Sequence, residues 1–121
     1  MVLDSILTSI KKLLGGIPEE DENFDADIII TINSAFAILN QLGAGPEDGF
    51  IVTDSSQTWG EFIGDTKLLE FVKTYVQLKV RLIFDPPQNS AHIESMKQMI
   101  SELEFRILSV TDKPQKEATN V

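Results

Sequence analysis

The chain has 121 residues and no cysteine, which excludes disulfides and thiolate chemistry. Its hydrophobic content of 42% and charged content of 24% suit one folded domain with a modest core. The formal net charge of −9 lies in the first half, because residues 1–66 carry twelve acids against two lysines and residues 67–121 carry a net +1. A protein that binds duplex DNA needs a basic face, so this distribution argues against that class.

Two helical patterns occupy the first 43 residues. Leu3–Leu14 is predicted to be a short amphipathic helix that ends at Gly15-Gly16. Its predicted apolar face is Leu3, Ile6, Leu7, Ile10, Leu13 and Leu14. A second helix is predicted to begin near Asn23–Asp25 and to end at Gly43. The β-branched run Ile28–Ile32 could open as a strand, but the spacing of three and four continues past it and favours a helix. The predicted apolar face is Ile28, Ile32, Ala35, Phe36, Leu39 and Leu42.

The segment between Gly43 and Thr58 is the least regular part of the chain. It opens with the turn residues GAGPEDG, and Phe50-Ile51-Val52 is either a short strand or an extended segment. Thr58 is a candidate cap for a short helical turn that ends at Gly64. That turn carries Trp59, Phe62 and Ile63.

The segment Thr66–Phe84 is predicted to be a buried central helix, because its polar positions form one narrow stripe and most other positions are apolar. Asp85-Pro86-Pro87 ends it, since proline disfavours helical backbone in the residue before it and cannot donate a hydrogen bond. Lys79 is the exception among the apolar positions. Its ammonium either reaches water or pairs with an acid of a neighbouring helix or a neighbouring subunit.

A last long helix is predicted from a cap at Asn89 or Ser90 to about Val110. Residues 1–110 are therefore expected to form one helical domain, and residues 111–121 a flexible C-terminal tail without periodicity. The predicted fold class is all-α. It is a small bundle of about four to five helices, with a long irregular loop between the second and third main helices.

No combination of residues predicts catalysis, a cofactor or a metal site. His92 is expected to be an exposed residue in the first turn of the last helix. The acidic pattern at residues 21–25 resembles the opening of a calcium loop, but Ala26 and Ile32 occupy the positions of the required Gly and Glu. The residues Gly43-Ala44-Gly45 lack the Lys and Ser or Thr of a phosphate-binding loop. We therefore predict that the protein is not an enzyme.

Four residues are candidates for an interface between subunits. Trp59 and Phe50 lie in or beside the irregular loop and either cover the core or anchor an intersubunit contact. Lys79 and Arg81 on the central helix complete the set. No membrane contact is predicted, because the longest uncharged run, residues 28–46, contains several polar and turn residues.

The order of these segments resembles the head–tail connector, or adaptor, proteins of tailed bacteriophages and prophages. The most specific part is residues 75–87, with the sequence YVQLKVRLIFDPP, preceded by Thr58-Trp59. Glu102–Leu108 in the last helix fits the same pattern. The resemblance covers roughly residues 3–110, so the tail is unmatched.

The resemblance implies an all-helical protomer that assembles into a ring, typically of twelve, beneath the portal of the capsid. Such a ring extends the DNA channel and contacts the portal and the next connector, stopper or tail protein, without catalysis or a cofactor. DNA passes through it without specific binding, and the protein is made in the bacterial cytoplasm and resides in the virion. The positions that match the family pattern are structural: Trp59, Lys79, Arg81, Asp85, Pro86 and Pro87.

The composition agrees with this implication in two respects. It offers no active site, and an acidic surface suits a channel through which DNA must slide without sticking. The alternative is a small acidic helical module for regulation or protein interaction, with no virion role. A nucleic-acid-binding factor is disfavoured by the scarcity of bases in residues 1–66, and an enzyme subunit by the missing pairs of nucleophile and base.

Overall fold

The computed structural model describes residues 4–15, 17–18, 20–64 and 66–111. These residues form five helices and no β-strand, so the all-α prediction is confirmed. The elements are α1 (Ile6–Lys12), α2 (Asp25–Gln41), α3 (Trp59–Phe62), α4 (Thr66–Phe84) and α5 (Ser90–Thr111). The most extensive helix contacts are those of α4 with α2 and of α4 with α5, and one continuous core cluster lies among the helices.

The first helix, α1, is shorter than the apolar pattern predicts. Ser5 caps it, since its side-chain oxygen accepts a hydrogen bond from the Thr8 backbone N–H at 3.1 Å. The helix ends at Lys12, whereas the prediction extended it to Leu14, and the prediction that Leu13 lies on the apolar face is wrong because its side chain is 48% exposed. Leu14 returns to the core after the helix has ended.

The isoleucine-rich second segment is helical, as its spacing of three and four predicts. The helix α2 begins at Asp25 and ends at Gln41, and Gly43 follows with a positive φ of 91° that favours glycine. Five of the six residues predicted for its apolar face are buried, and Leu42 is half-buried. In the helical conformation Ile28 and Ile32 of the β-branched run are buried, whereas Ile30 is 64% exposed.

The long loop between α2 and α4 contains no strand, and Phe50-Ile51-Val52 has no regular secondary structure. Within it Val52 is buried, whereas Ile51 is 62% exposed. Thr58 caps the short helix α3, as predicted, and its side chain and that of Glu61 cap each other's backbone N–H groups. An isolated antiparallel bridge joins Thr58 to Ser5 and holds the end of this loop against α1.

The central helix α4 has the predicted bounds and contributes the largest share of the core. Val72, Tyr75, Val76 and Val80 are all fully buried, and each buried valine side chain stabilises the fold by about 1.5–3 kcal/mol. The prediction of burial fails at Ile83, which is 64% exposed although it lies near the end of the same helix. The helix ends at Phe84, and the Asp85 N–H still donates to the Arg81 carbonyl at 2.8 Å.

The last helix, α5, is capped by Asn89, whose side-chain oxygen accepts from the Ala91 backbone N–H at 2.7 Å. Its buried residues are Met96, Ile100 and Ile107. Thr111, which we predicted to open the tail, is its last helical residue, and its hydroxyl donates to the Leu42 carbonyl. The remaining residues of the predicted tail, 112–121, lie outside the described residues.

Candidate assembly surface

The two aromatic candidates for an interface lie in the protomer's own aromatic cluster. Trp59 is 1% exposed, and its indole N–H donates to the Ser9 hydroxyl at 2.9 Å. Phe50 is half-buried and meets Phe36 and Phe62 edge to face, at ring centroid distances of 5.7 and 5.5 Å. These contacts fit the first alternative for both residues, that they cover the core. An intersubunit role stays a prediction that this geometry does not support for Trp59.

Lys79 is half-buried on the side of α4 that lies between α2 and α5. Its Nζ lies 5.8 Å from the centroid of the Tyr75 ring, which is a cation–π distance. None of the ion pairs among the described residues includes Lys79. Of the predicted alternatives, a cation reaching water over an aromatic ring describes this protomer, and pairing with an acid of another subunit stays a prediction.

Arg81 and Asp85 organise the end of α4. The Arg81 Nε lies 3.8 Å from Asp85 Oδ2, and the same carboxylate oxygen accepts a hydrogen bond from the Gly15 N–H at 2.9 Å. Asp85 therefore ties the segment after α1 to the end of the central helix. Pro86 and Pro87 follow directly, outside the helix, as their chemistry requires.

A groove of about 440 Å³ opens where α2, α4 and α5 meet. We call it the lysine groove, and the described residues that line it are Thr31, Ser34, Ile38, Lys79, Leu82, Ile83, Lys97, Ile100 and Ser101. They include two lysines and no acid, in a chain with a net charge of −9. The groove thus combines positive charge, hydroxyl groups and exposed apolar surface, which suits an acidic segment with an apolar side chain.

The Tyr75 ring beneath Lys79 is held by a hydrogen bond between two helices. The Tyr75 hydroxyl donates to Glu104 Oε2 at 2.7 Å and so joins α4 to α5. Burial, followed by this hydrogen bond to a carboxylate, raises the pKa of Tyr75 above its ordinary value of 10.0. The ring under Lys79 therefore remains neutral at any physiological pH.

A second groove lies along α4 and α5, away from the first. It is lined by Phe71, Glu102, Phe105, Arg106, Ser109 and Val110. Phe105 is 70% exposed, the largest exposed fraction of any large apolar side chain among the described residues. The Arg106 guanidinium beside it is paired with Glu102 at 2.7 Å, so this groove has no unpaired charge to select a partner.

Two asparagine side chains of α2 hold the loop between α2 and α4 against its own protomer. The Asn33 side-chain oxygen accepts from the Val52 N–H at 2.8 Å, and its amide donates to the Val52 carbonyl at 3.0 Å. Asn40 donates to the Pro46 carbonyl at 3.0 Å. We call residues 43–58 the acidic loop, because they carry Glu47, Asp48 and Asp54 and no base. Hydrogen bonds from Ser56 to its carboxylate lower the pKa of Asp54, so that acid is charged at neutral pH.

The sequence motifs that were weighed for chemistry have structural roles here. Asp21 accepts a hydrogen bond from the Asn23 N–H at 2.9 Å, and Asp25 pairs with Lys11 at 2.7 Å. His92 is exposed in the first turn of α5. Within the described part of the chain, no cluster of three or more His, Asp or Glu side chains is placed to hold a metal ion, and no helix is long and apolar enough to cross a bilayer.

Two features of the surface were missed at the sequence level. Ile51 and Ile83 both have apolar side chains exposed by more than half, although each lies in a segment that reads as apolar and inward-facing. Lys97 was not singled out because an exposed lysine on a helix is ordinary. Lys97 becomes a candidate only because the fold places it in one groove with Lys79 and Ile83, which lie on a different helix.

Comparison with known proteins gives one match that covers most of the chain. The family model described as "Phage connector protein" matches residues 6–114. No curated protein and no solved structure matches the chain.

Proposed function

The chain belongs to the phage connector protein family, and on that premise we propose that it forms an oligomeric ring that joins the portal of the capsid to the tail and extends the DNA channel. The observation that carries the proposal is the match to the family model over residues 6–114, which includes all five helices. The protein acts in this role as a structural component of the virion and performs no catalysis.

The exposed apolar side chains support a role in which partner proteins cover them. Ile30, Ile51, Ile83 and Phe105 are each at least 62% exposed, on α2, the acidic loop, α4 and α5 respectively. Single exposed apolar residues are ordinary on a monomer, but here Ile83 and Phe105 each border a groove. We assign these surfaces to contacts with other copies, with the portal and with the next connector, stopper or tail protein.

The charge supports a channel that conducts DNA without binding it. A net charge of −9 repels the phosphate backbone at short range and weakens nonspecific adhesion. A ring of such protomers presents this charge several times over, so DNA is a passing cargo of the assembly.

The test uses the full chain and the portal protein of the same phage, purified separately and mixed. We expect the chain to sediment with portal rings and to appear as an added ring in electron micrographs. Light scattering at several protein concentrations should show a mass that rises above that of the 13.5 kDa protomer. A protein that stays monomeric at high concentration and does not bind the portal contradicts the proposal and favours an interaction module with no virion role.

A further inference from the structure

The lysine groove and the acidic loop lie on different sides of the same helix. On α2, the groove is lined by Thr31, Ser34 and Ile38, whereas the loop packs over Asn33, Ala37 and Asn40. At 3.6 residues per turn these two sets point roughly a third of a turn apart around the helix axis. One protomer therefore presents the groove on one flank and the loop on another.

The loop cannot fill the groove of its own protomer. Both hydrogen bonds between Asn33 and Val52 hold it on its own side of α2, and Phe50 is packed edge to face against Phe36. Its outer edge nevertheless remains open, since Glu47 and Asp48 are exposed and Ile51 is 62% exposed. Any groove that this edge occupies must belong to another molecule.

The two surfaces match in charge and in polarity. The groove offers Lys79, which forms no ion pair among the described residues, and Lys97, whose pair with Glu94 at 3.7 Å is exposed and weak. The loop offers three acids without a base. Each surface also carries one largely exposed isoleucine, Ile83 in the groove and Ile51 in the loop. Opposite charges around an apolar contact set the register of an interface and exclude wrong partners.

We propose that the acidic loop of one protomer docks into the lysine groove of the next copy, with Glu47 and Asp48 facing Lys79 and Lys97 and Ile51 against Ile83. The contact joins two different surfaces, so it repeats head to tail and generates a closed ring when the rotation per copy allows closure. It supplies the contact between copies for the ring proposed above and rests on that function.

Paired charge reversals test this contact. One variant carries Lys79→Glu and Lys97→Glu, so that groove and loop are both acidic, and a second carries Glu47→Lys and Asp48→Lys, so that both are basic. Each variant alone should self-associate at least roughly tenfold more weakly than the natural protein, because the docked surfaces now repel. An equimolar mixture should recover assembly, since every contact between unlike copies again joins opposite charges.

Introduced cysteines give a second measurement that does not depend on changed charges. The natural chain has no cysteine, so any disulfide arises from the introduced residues. The double variant Ile51→Cys, Ile83→Cys should form a ladder of covalent oligomers on oxidation, because a disulfide requires Cα atoms within about 7 Å. The matched control pairs Ile51→Cys with Leu13→Cys. Leu13 follows α1 and is exposed, and it lies beside Lys73, which is on a different side of α4 from the lysine groove. It should form no ladder.

The outcomes separate the two proposals. Rings from the natural protein, together with charge-reversed variants that assemble alone as well as it does, overturn the docking contact and leave the connector function standing. A ladder of equal yield from the control pair also overturns the contact. A natural protein that neither assembles nor binds the portal overturns the proposed function, and the docking contact with it.

Discussion

Lys11 and Asp25 join α1 to the first residue of α2, with Lys11 Nζ 2.7 Å from Asp25 Oδ1. The lysine side chain is 6% exposed and the aspartate side chain 26% exposed. The same ammonium donates to the Asp21 carbonyl at 2.9 Å. One buried cation thus fixes both the acidic connection and the beginning of α2.

Replacing Lys11 by methionine should destabilise the protein while preserving the helical fold. The substitution keeps most of the side-chain volume but leaves Asp25 and the Asp21 carbonyl without their donor. Hydrogen bonds to charged groups contribute about 1.5–3 kcal/mol, so we expect a loss of that order. The measurement is the midpoint of urea unfolding, followed by circular dichroism.

The neighbouring Lys12 provides the matched control. It is exposed, and Lys12→Met should change the free energy of unfolding by no more than about 0.5 kcal/mol. Equal effects of the two substitutions would show that the ion pair does not contribute to stability.

The contrast between Lys11 and Lys79 shows what the sequence could predict. Periodicity identifies Lys79 as unusual because it lies among apolar positions of a long helix, and the structure places it in the groove between α2, α4 and α5. Helical spacing favours Lys11 over Lys12 for burial, because Lys11 lies four residues after Leu7 and borders the apolar face of α1. It does not predict the partner of Lys11, which depends on how α1 docks against residues 21–25. That docking is a long-range contact, which helical spacing does not encode.

The helices could be predicted, whereas the path of the long loop could not. The apolar spacing of α2 and α4 and the capping residue Thr58 are local signals, and each predicted its element. The loop is positioned by Asn33, a polar residue in the middle of a helix whose partner is 19 residues away. The lysine groove also escaped prediction, since it combines single residues from three helices.

Replacing Asn33 by alanine should loosen the acidic loop. The substitution removes both partners of the Val52 backbone, and Val52 is 1% exposed, so water does not replace them without opening the loop. We expect a loss of about 1–3 kcal/mol and faster proteolysis within residues 43–58. Limited proteolysis followed by mass spectrometry locates the cleavage.

The control for this prediction is Asn40→Ala, which removes exposed hydrogen bonds to the Pro46 and Glu47 carbonyls. It should have the smaller effect on stability, because water can satisfy these carbonyls. If the two variants are cleaved at the same rate, Asn33 is not the residue that holds the loop.

Alanine substitutions at Gly45 and Gly49 distinguish a steric clash from backbone strain. Both have positive φ, 85° and 93° respectively, so alanine strains the backbone at either position. At Gly45 an added Cβ would also clash with the edge of the Phe62 ring, whereas at Gly49 nothing lies within 4 Å. Gly45→Ala should therefore lower the melting temperature more than Gly49→Ala, by several degrees in calorimetry. Equal losses would mean that the Phe62 ring moves aside without cost.

The raised pKa of Tyr75 predicts that the protein loses stability at high pH. Its pKa is raised in the folded state, so above its ordinary value of 10.0 the unfolded chain releases this proton while the folded chain retains it. The folded state then binds more protons, and the free energy of unfolding falls as the pH rises above about 10. Tyr75→Phe should reduce this alkaline loss relative to its own stability at neutral pH.

The ionisation of Tyr75 can be measured directly, because it is the only tyrosine in the chain. Ultraviolet absorbance of tyrosinate should appear only as the protein unfolds, in step with the loss of helical circular dichroism. Ionisation at an ordinary pKa in the fully folded protein would show that the hydroxyl bonded to Glu104 is open to solvent.

Lys79 and Lys73 form a matched pair for the assembly proposal. Both lie on α4 with Nζ near an aromatic ring, Lys79 at 5.8 Å from Tyr75 and Lys73 at 6.0 Å from Trp59. Only Lys79 lines the lysine groove, so Lys79→Met should leave the protomer folded and weaken self-association about tenfold, or ~1.4 kcal/mol. Lys73→Met removes an equivalent charge from the same helix on another side and should assemble like the natural protein. Sedimentation velocity over a range of concentrations measures the self-association of both variants. If Lys79→Met assembles as well as Lys73→Met, Lys79 only covers the Tyr75 ring.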